Sequence, residues 1–389
     1  QMNLVRVFQS TVRHHGPRPA IVDANRTYSW SEFGQRVTQA AGMLRQLGVL
    51  PGRRFGILSR NGFRFEELKW AGFWLGAIPV PVNFRLAPPE IAQILDDAQC
   101  THVMVEIAFA AMLEHPALTG WQSRMTLFGE ATGENAEPYE TLLATAIPPA
   151  ASDPDPDSDA LLLYTGGTTG RSKGVRLSHT NILSNNIAFG LAVGARPEHV
   201  YMHAAPMFHS ADLLALGWFL QGAAQCYLPA FSPQSFLDAV ARYRVGAVVT
   251  VPTMLIGVVS NPAFATADIS SLRVLIYGAA PMALDWIVRV ANAFPAVELF
   301  NCYGLTETAP DLTIFDSREF RAAIDARGAT GADSGPLLSV GKPNALNELR
   351  IVAPDGRVLA AGEAGELIAR GPNIMKGYHD RPEETRSAL

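Results

Sequence analysis

The sequence predicts an α/β fold, a largely parallel sheet covered by helices, with a small antiparallel β lobe toward the C-terminal end. Three observations carry this. Short apolar strand signals alternate with helical periods up to about residue 330, and Val245–Val251 and Val274–Tyr277 read as core strands. Beyond residue 335 the texture changes to short alternating runs broken by turns. Finally, a chain of 389 residues exceeds one ordinary core. Single cores stop growing near ~250–300 residues, so two or three packed lobes are expected.

In chain order, Ala20–Asp23, a turn at Asn25 and Thr27–Trp30 look like a hairpin running into a helix. Ser29 with Glu32 is a capping-box pattern; Val37, Ala41, Leu44 and Leu47 follow at helical spacing, and Gly48 stops the helix. Phe55–Leu58 and Ile78–Val82 read as short buried strands, and Pro88-Pro89-Glu90 opens a helix with Ile91, Ile94 and Leu95 on one face. Residues 146–160 are rich in Pro, Asp and Ser, a surface connection by composition. The apolar strand Leu161–Tyr164 then empties into a Gly/Thr-rich loop. In the last stretch Leu349–Val352, the turn Pro354-Asp355-Gly356, Gly362–Gly365 and Leu367–Ala369 fit the small β lobe over 335–389.

Composition narrows the function classes. Hydrophobic residues make up 48% and charged residues 17%, which excludes a disordered chain. The net charge of −5 argues against nucleic-acid binding by bulk charge, although a local basic loop could hold phosphate. Cys100, Cys226 and Cys302 are far apart, offer no disulfide framework or metal knuckle, and fit a reducing compartment. The N-terminus lacks a signal-peptide pattern. The longest apolar stretch, Val245–Val259, is interrupted by Thr250, Pro252 and Thr253 and falls short of the ~20 residues a membrane span takes. A cytoplasmic protein without membrane span or nucleic-acid partner is expected. Oligomeric state is open, a homodimer included. Lysines are confined to Lys69, Lys173, Lys342 and Lys376.

The most informative stretch is Thr165-Gly166-Gly167-Thr168-Thr169-Gly170-Arg171-Ser172-Lys173-Gly174. Its glycines let backbone N–H groups approach an anion, its hydroxyls add donors, and Lys173 supplies a point charge. That mixture suits a polyphosphate. It is not the Walker loop, because Ser172 precedes and Gly174 follows Lys173. From composition alone, a hairpin tip that binds nothing is the alternative.

Tyr164 to Val175 resembles the signature loop of the adenylate-forming superfamily, which includes acyl- and aryl-CoA synthetases, adenylation domains and luciferases. Further motifs follow in order: Pro206-Met207-Phe208-His209 is similar to the family's aromatic–His segment, Tyr277-Gly278-Ala279-Ala280-Pro281 to its adenine-binding strand end, Tyr303-Gly304-Leu305-Thr306-Glu307 to its YGxTE motif, and Gly362 to Tyr378 to its β-lobe motif. The likeness covers nearly the whole chain. Departures are Gly166 for the usual Ser, Ser172 for Pro, and Asn301 for a frequent Gln.

The resemblance implies two α/β lobes with mainly parallel sheets plus a distorted antiparallel β-barrel lobe, with ATP and acid bound where the lobes meet. It implies attack of a small-molecule carboxylic acid on the α-phosphorus of Mg·ATP, then transfer of the acyl group to CoA. Glu307 is expected to be the Mg²⁺ carboxylate, Thr306 to donate to the α-phosphate, and Lys173 to act with Thr165, Gly166, Gly167, Thr168, Thr169, Gly170 and Ser172 on the phosphates. Gly278, Ala279, Ala280, Asn301, Cys302, Tyr303 and Gly304 would accompany the nucleotide. Tyr303 would stack on adenine, although a lone Tyr is as often a core aromatic.

His209 would stand beside the acyl carboxylate, although a lone apolar His is more often a satisfied core group. Amino-acid-activating members carry Asp at the matching position, so His209 points to a plain fatty or aromatic acid. Val251–Leu255 resembles a pocket-lining segment. There is no Gly-x-Ser-x-Gly, His-Glu-x-x-His or Gly-x-Gly-x-x-Gly motif. His14-His15 reads as solvated surface, and His203 and His209, six apart, do not fit one helical face for a metal.

The family pattern continues beyond Leu389 into a smaller C-terminal lid carrying a second lysine. The expectation is an N-terminal ATP- and acyl-binding domain over 1–389, lacking the lid and largely inactive alone. Two alternatives stand beside it: a module that loads a carrier protein, and a non-catalytic nucleotide-binding relative. The intact Lys173, Thr306 and Glu307 speak against the second.

Overall fold

The computed structural model describes residues 2–24, 26–129, 138–166, 172–330 and 335–389. The turn at Asn25 and the assignments to Gly167, Thr168, Thr169 and Gly170 lie outside them. The architecture is mixed α/β. A nine-stranded sheet runs in the order Lys342–Pro343, Asp311–Phe315, Glu298–Gly304, Val274–Gly278, Val245–Thr250, Val200–His203, Gln225–Tyr227, Pro19–Val22, Thr27–Ser29. The six strands from Glu298–Gly304 to Pro19–Val22 are parallel, and antiparallel strands form both edges. A second, wholly parallel sheet holds Ile78–Val82, Arg54–Leu58, Cys100–Glu106 and Met125–Phe128.

The two sheets do not divide the chain at a single point. The first hairpin belongs to the nine-stranded sheet, because Ile21 pairs with Gln225 across about half the chain. Strand Asp159–Thr165, which begins an α/β unit by its apolar pattern, instead lies in a three-stranded antiparallel sheet with Lys173–Ser178 and Gly377–Tyr378. Glu348–Val352 and Glu366–Arg370 form a separate antiparallel ribbon.

Local signals set the elements. Ser29 accepts from the Glu32 amide and Glu32 caps the Ser29 amide, starting helix Trp30–Gln46, which ends before Gly48 at φ +86°. Helix Pro88–Asp97 buries Ile91, Ile94 and Leu95. The helix Leu4–His15 was not anticipated. It buries Leu4, Val5 and Phe8, with Phe8 stacked 4.9 Å from Trp70. His14 is exposed at its end, as expected, but His15 is half-buried. The connection 146–160 is strapped down: the Ser152 amide donates to Trp74 O at 2.9 Å, and Asn3 and Arg6 donate to Asp153.

Candidate active site

In open α/β sheets, ligands bind outside the carboxyl ends of the parallel strands. A cavity of about 420 Å³ opens there, lined by Thr250, Gly278, Cys302, Tyr303 and Gly304, which end three neighbouring strands. A groove of about 660 Å³ opens at the opposite ends, beside Gly246, Val274 and Glu298, and contains none of the expected site residues. The first is the candidate site.

The hairpin between Asp159–Thr165 and Lys173–Ser178 enters this cavity from the small antiparallel sheet. Thr165 and Lys173 face each other in register, and Thr165, Gly166 and Lys173 line the cavity. Lys173 Nζ lies 5.0 Å from the centre of the Tyr378 ring. Tyr378 Oη donates to Glu307 Oε1 at 2.7 Å, and burial together with that carboxylate pushes the phenol above its ordinary pKa. The cation of the hairpin and the carboxylate of the Tyr-Gly-Leu-Thr-Glu turn thus meet through one aromatic side chain.

The turn has its own supports. Thr308 Oγ1 accepts from the Leu305 amide at 3.0 Å and donates to Pro310 O at 2.7 Å, fixing the 3₁₀ turn Thr306–Thr308. Thr306 Oγ1 bonds Ser210 Oγ at 3.1 Å. The Met375 amide donates to Glu307 O at 2.8 Å, tying the turn to the segment before Tyr378. Two close approaches need glycine. A Cβ on Gly278 would stand 2.4 Å from Cys302 O, and one on Gly304 would overlap Pro310 O. Ala279 takes φ +66°, an uncommon conformation for a residue with a side chain.

Of the expected site residues, the structure brings Thr165, Gly166, Lys173, Gly278, Ala279, Cys302, Tyr303, Gly304, Thr306 and Glu307 to one cavity. Ser172, Ala280, Asn301 and His209 stand outside its wall. Asn301 instead donates to Ser339 O at 3.1 Å. His209 keeps solvent contact beside Phe208, 4.5 Å between ring centres, while its crowded surroundings and Arg85 hold the imidazole below its ordinary pKa. Its neighbour Ser210 does line the cavity. From Val251–Leu255, only Val251 reaches it. Ser210, Leu214, Leu305, Pro310 and Asp311 escaped sequence reasoning; a hydroxyl beside His209 was the one available hint. Tyr378 closes the β-lobe motif but had no assigned role.

Among the described residues, one group of metal-capable side chains is Glu66, His203 and Asp212, all buried. Lys69 Nζ already lies 3.0 Å from Glu66 Oε2 and 3.0 Å from Asp212 Oδ2, so an ammonium supplies the positive charge there. His203 Nδ1 meets Asp212 Oδ1 at 2.5 Å.

Comparison with known proteins decides the family. The model of the AMP-binding enzyme family matches residues 8–379. The chain belongs to that family. As an AMP-binding enzyme it is 32% identical to a feruloyl-CoA synthase of Amycolatopsis sp. over 372 residues, 93% of this chain and 68% of that protein. It is 30% identical to 4-coumarate–CoA ligase 2 of Oryza sativa subsp. japonica over 95% of this chain and 67% of that one. The N-terminal domain of FACL13 from Mycobacterium tuberculosis superposes with a TM-score of 0.87 at 24% identity, covering all of this chain and 94% of that one, which is a likeness of fold.

Proposed function

We propose that this AMP-binding enzyme activates a carboxylic acid with ATP, as an acid–thiol ligase does. The acid's carboxylate oxygen attacks the α-phosphorus, the bond to the β-phosphate oxygen breaks, and acyl-adenylate and pyrophosphate form. In the second half-reaction the CoA thiol displaces AMP and gives up its proton. One observation carries the reading: the cavity joins Thr165, Gly166 and Lys173 of the hairpin to Thr306 and Glu307 of a turn more than 130 residues away.

Bringing a carboxylate to a polyphosphate is electrostatically unfavourable, so oriented donors and cations must offset the repulsion. Lys173 supplies a charge, its Nζ set 5.0 Å from the centre of the Tyr378 ring. Thr306 presents its hydroxyl toward the α-phosphate, positioned by Ser210. Glu307, with Oε1 held by Tyr378, is the carboxylate that would hold Mg²⁺. When bound, that ion neutralises phosphate charge as a Lewis acid. Gly278 and Ala279 give a flat wall on which a purine can approach the backbone, with Tyr303 stacked on it.

His209 stands where amino-acid-activating members of the family carry Asp, so a plain aromatic or fatty acid fits better than an α-amino acid. Ligation in the cytoplasm suits the three unpaired cysteines. Pyrophosphate exchange screened over fatty, aromatic and α-amino acids checks the reading. Exchange with plain acids supports it, and selective exchange with α-amino acids contradicts it.

A further inference from the structure

Asp311 lines the cavity, yet no part of the nucleotide chemistry uses it. Its side chain is 1% exposed. Oδ2 accepts a hydrogen bond from Asn344 Nδ2 at 3.1 Å, whereas Oδ1 is buried without a hydrogen-bond partner. The carboxylate's charge adds to burial in pushing up the Cys302 thiol, so it stands close to a second residue of the cavity wall.

The position is held. The Asp311 carbonyl accepts from Asn185 Nδ2 at 2.7 Å, Asn373 Nδ2 at 3.1 Å and Asn344 Nδ2 at 3.2 Å. The residue pairs across the sheet with Gly304. With the main chain caged and Oδ2 engaged, the second oxygen is left as a buried acceptor. A buried polar atom without its hydrogen bond is costly, and a ligand that donates to it removes that cost.

Above pH ~7, where Asp311 is ionised, its charge would repel a polyphosphate, so it is not a phosphate group's partner. Other members of the wall, Leu214, Val249, Val251, Leu305 and Pro310, are non-polar and suit a hydrocarbon or aryl body. Resting on the acid-ligase reading above, we propose that Asp311 receives a hydrogen bond from a hydroxyl or amino group carried by the substrate acid away from its reacting carboxylate. The preferred substrate is then an acid with an apolar body and one distal donor. A site built to accept such a bond discriminates strongly against the analogue lacking it, because its own buried group is then left unpaired.

Titration calorimetry at pH ~8, where the Asp311 carboxyl is ionised, with three stable adenylate mimics tests this: the sulfamoyl adenosines of phenylpropanoic acid and of its para-hydroxy and para-amino derivatives. The native chain is expected to bind the hydroxy or the amino mimic at least ~10-fold tighter than the plain one, and the preferred arm identifies the donor. Asp311→Leu removes the preference, and Asp311→Asn, which keeps an acceptor oxygen, retains part of it. Equal affinity of the native chain for all three overturns the inference, since Oδ1 is then served by water. A uniform loss of all three in Asp311→Leu, with no selectivity in the native chain, also overturns it and assigns the carboxyl to the adenosine. Failure to bind any mimic overturns the ligase reading and this inference with it. Should Asp311→Leu not fold, the native selectivity and Asp311→Asn still decide.

Discussion

Asp311 is held at the start of an antiparallel strand by amides that satisfy its main chain better than its side chain. Burial pushes its carboxyl up to about 7, against the opposing hydrogen bond from Asn344. An unfolded Asp ionises near ~3.9, so the folded state keeps a proton that the unfolded chain has lost between that value and about 7. Stability from the neutral carboxyl is therefore full below the unfolded value, falls as pH rises, and is gone above the folded one. Asp311→Asn, neutral throughout, should gain on the native chain by on the order of 2–3 kcal/mol between pH ~5 and pH ~8. Thermal or denaturant unfolding of both proteins at the two pH values measures it. A difference that does not change with pH would contradict the assignment.

At the scale of elements, the segment after strand Val200–His203 is fixed from beneath. Asn61 Nδ2 donates to His203 O and Ala205 O, and Asn61 Oδ1 accepts from the Met207 amide at 2.8 Å. Asp212, at the far end, bonds both His203 and Lys69 within the buried cluster. Burial would raise the Asp212 carboxyl, but Lys69 and His203 hold it below its ordinary value. Between these two anchors sits Ser210, which positions Thr306. Lys69→Met would leave two buried carboxylates without their cation and should cost about 3–5 kcal/mol. Denaturant unfolding checks it. A loss under ~1 kcal/mol, the range of exposed pairs, would mean that the cluster is not the anchor.

Much of this level was legible in the sequence. The capping box at Ser29, Pro88 at a helix start and the apolar runs of Val245–Thr250 and Val274–Gly278 are local signals with local causes. Helix Leu4–His15 went unread because its buried residues Leu4, Val5 and Phe8 are interleaved with polar ones in a short terminal stretch.

For the whole molecule, the pairing of Ile21 with Gln225 and of Tyr378 with Val175 joins segments far apart in sequence, and no local periodicity encodes such partners. The candidate site divides in the same way. The hairpin suggests a polyphosphate by its residue types and the Tyr-Gly-Leu-Thr-Glu turn is legible as a family resemblance, and Thr165, Gly166, Lys173 and Tyr303 to Glu307 meet in one cavity. Ser210, Tyr378 and Asp311 carry no such pattern and enter only through the fold. The Met375 amide on Glu307 O, the Lys376 amide on Arg176 O and the Tyr378 hydroxyl on Glu307 clip the C-terminal segment across both motifs.

The joint grip of that hairpin and that turn on a nucleotide is tested most directly by equilibrium binding of ATP with and without Mg²⁺. The native chain, Lys173→Ala and Glu307→Ala would be titrated side by side. Weakening of ATP by at least ~10-fold in Lys173→Ala, and loss of the Mg²⁺ enhancement in Glu307→Ala, is the expected result. ATP affinity indifferent to both substitutions and to the ion would contradict it.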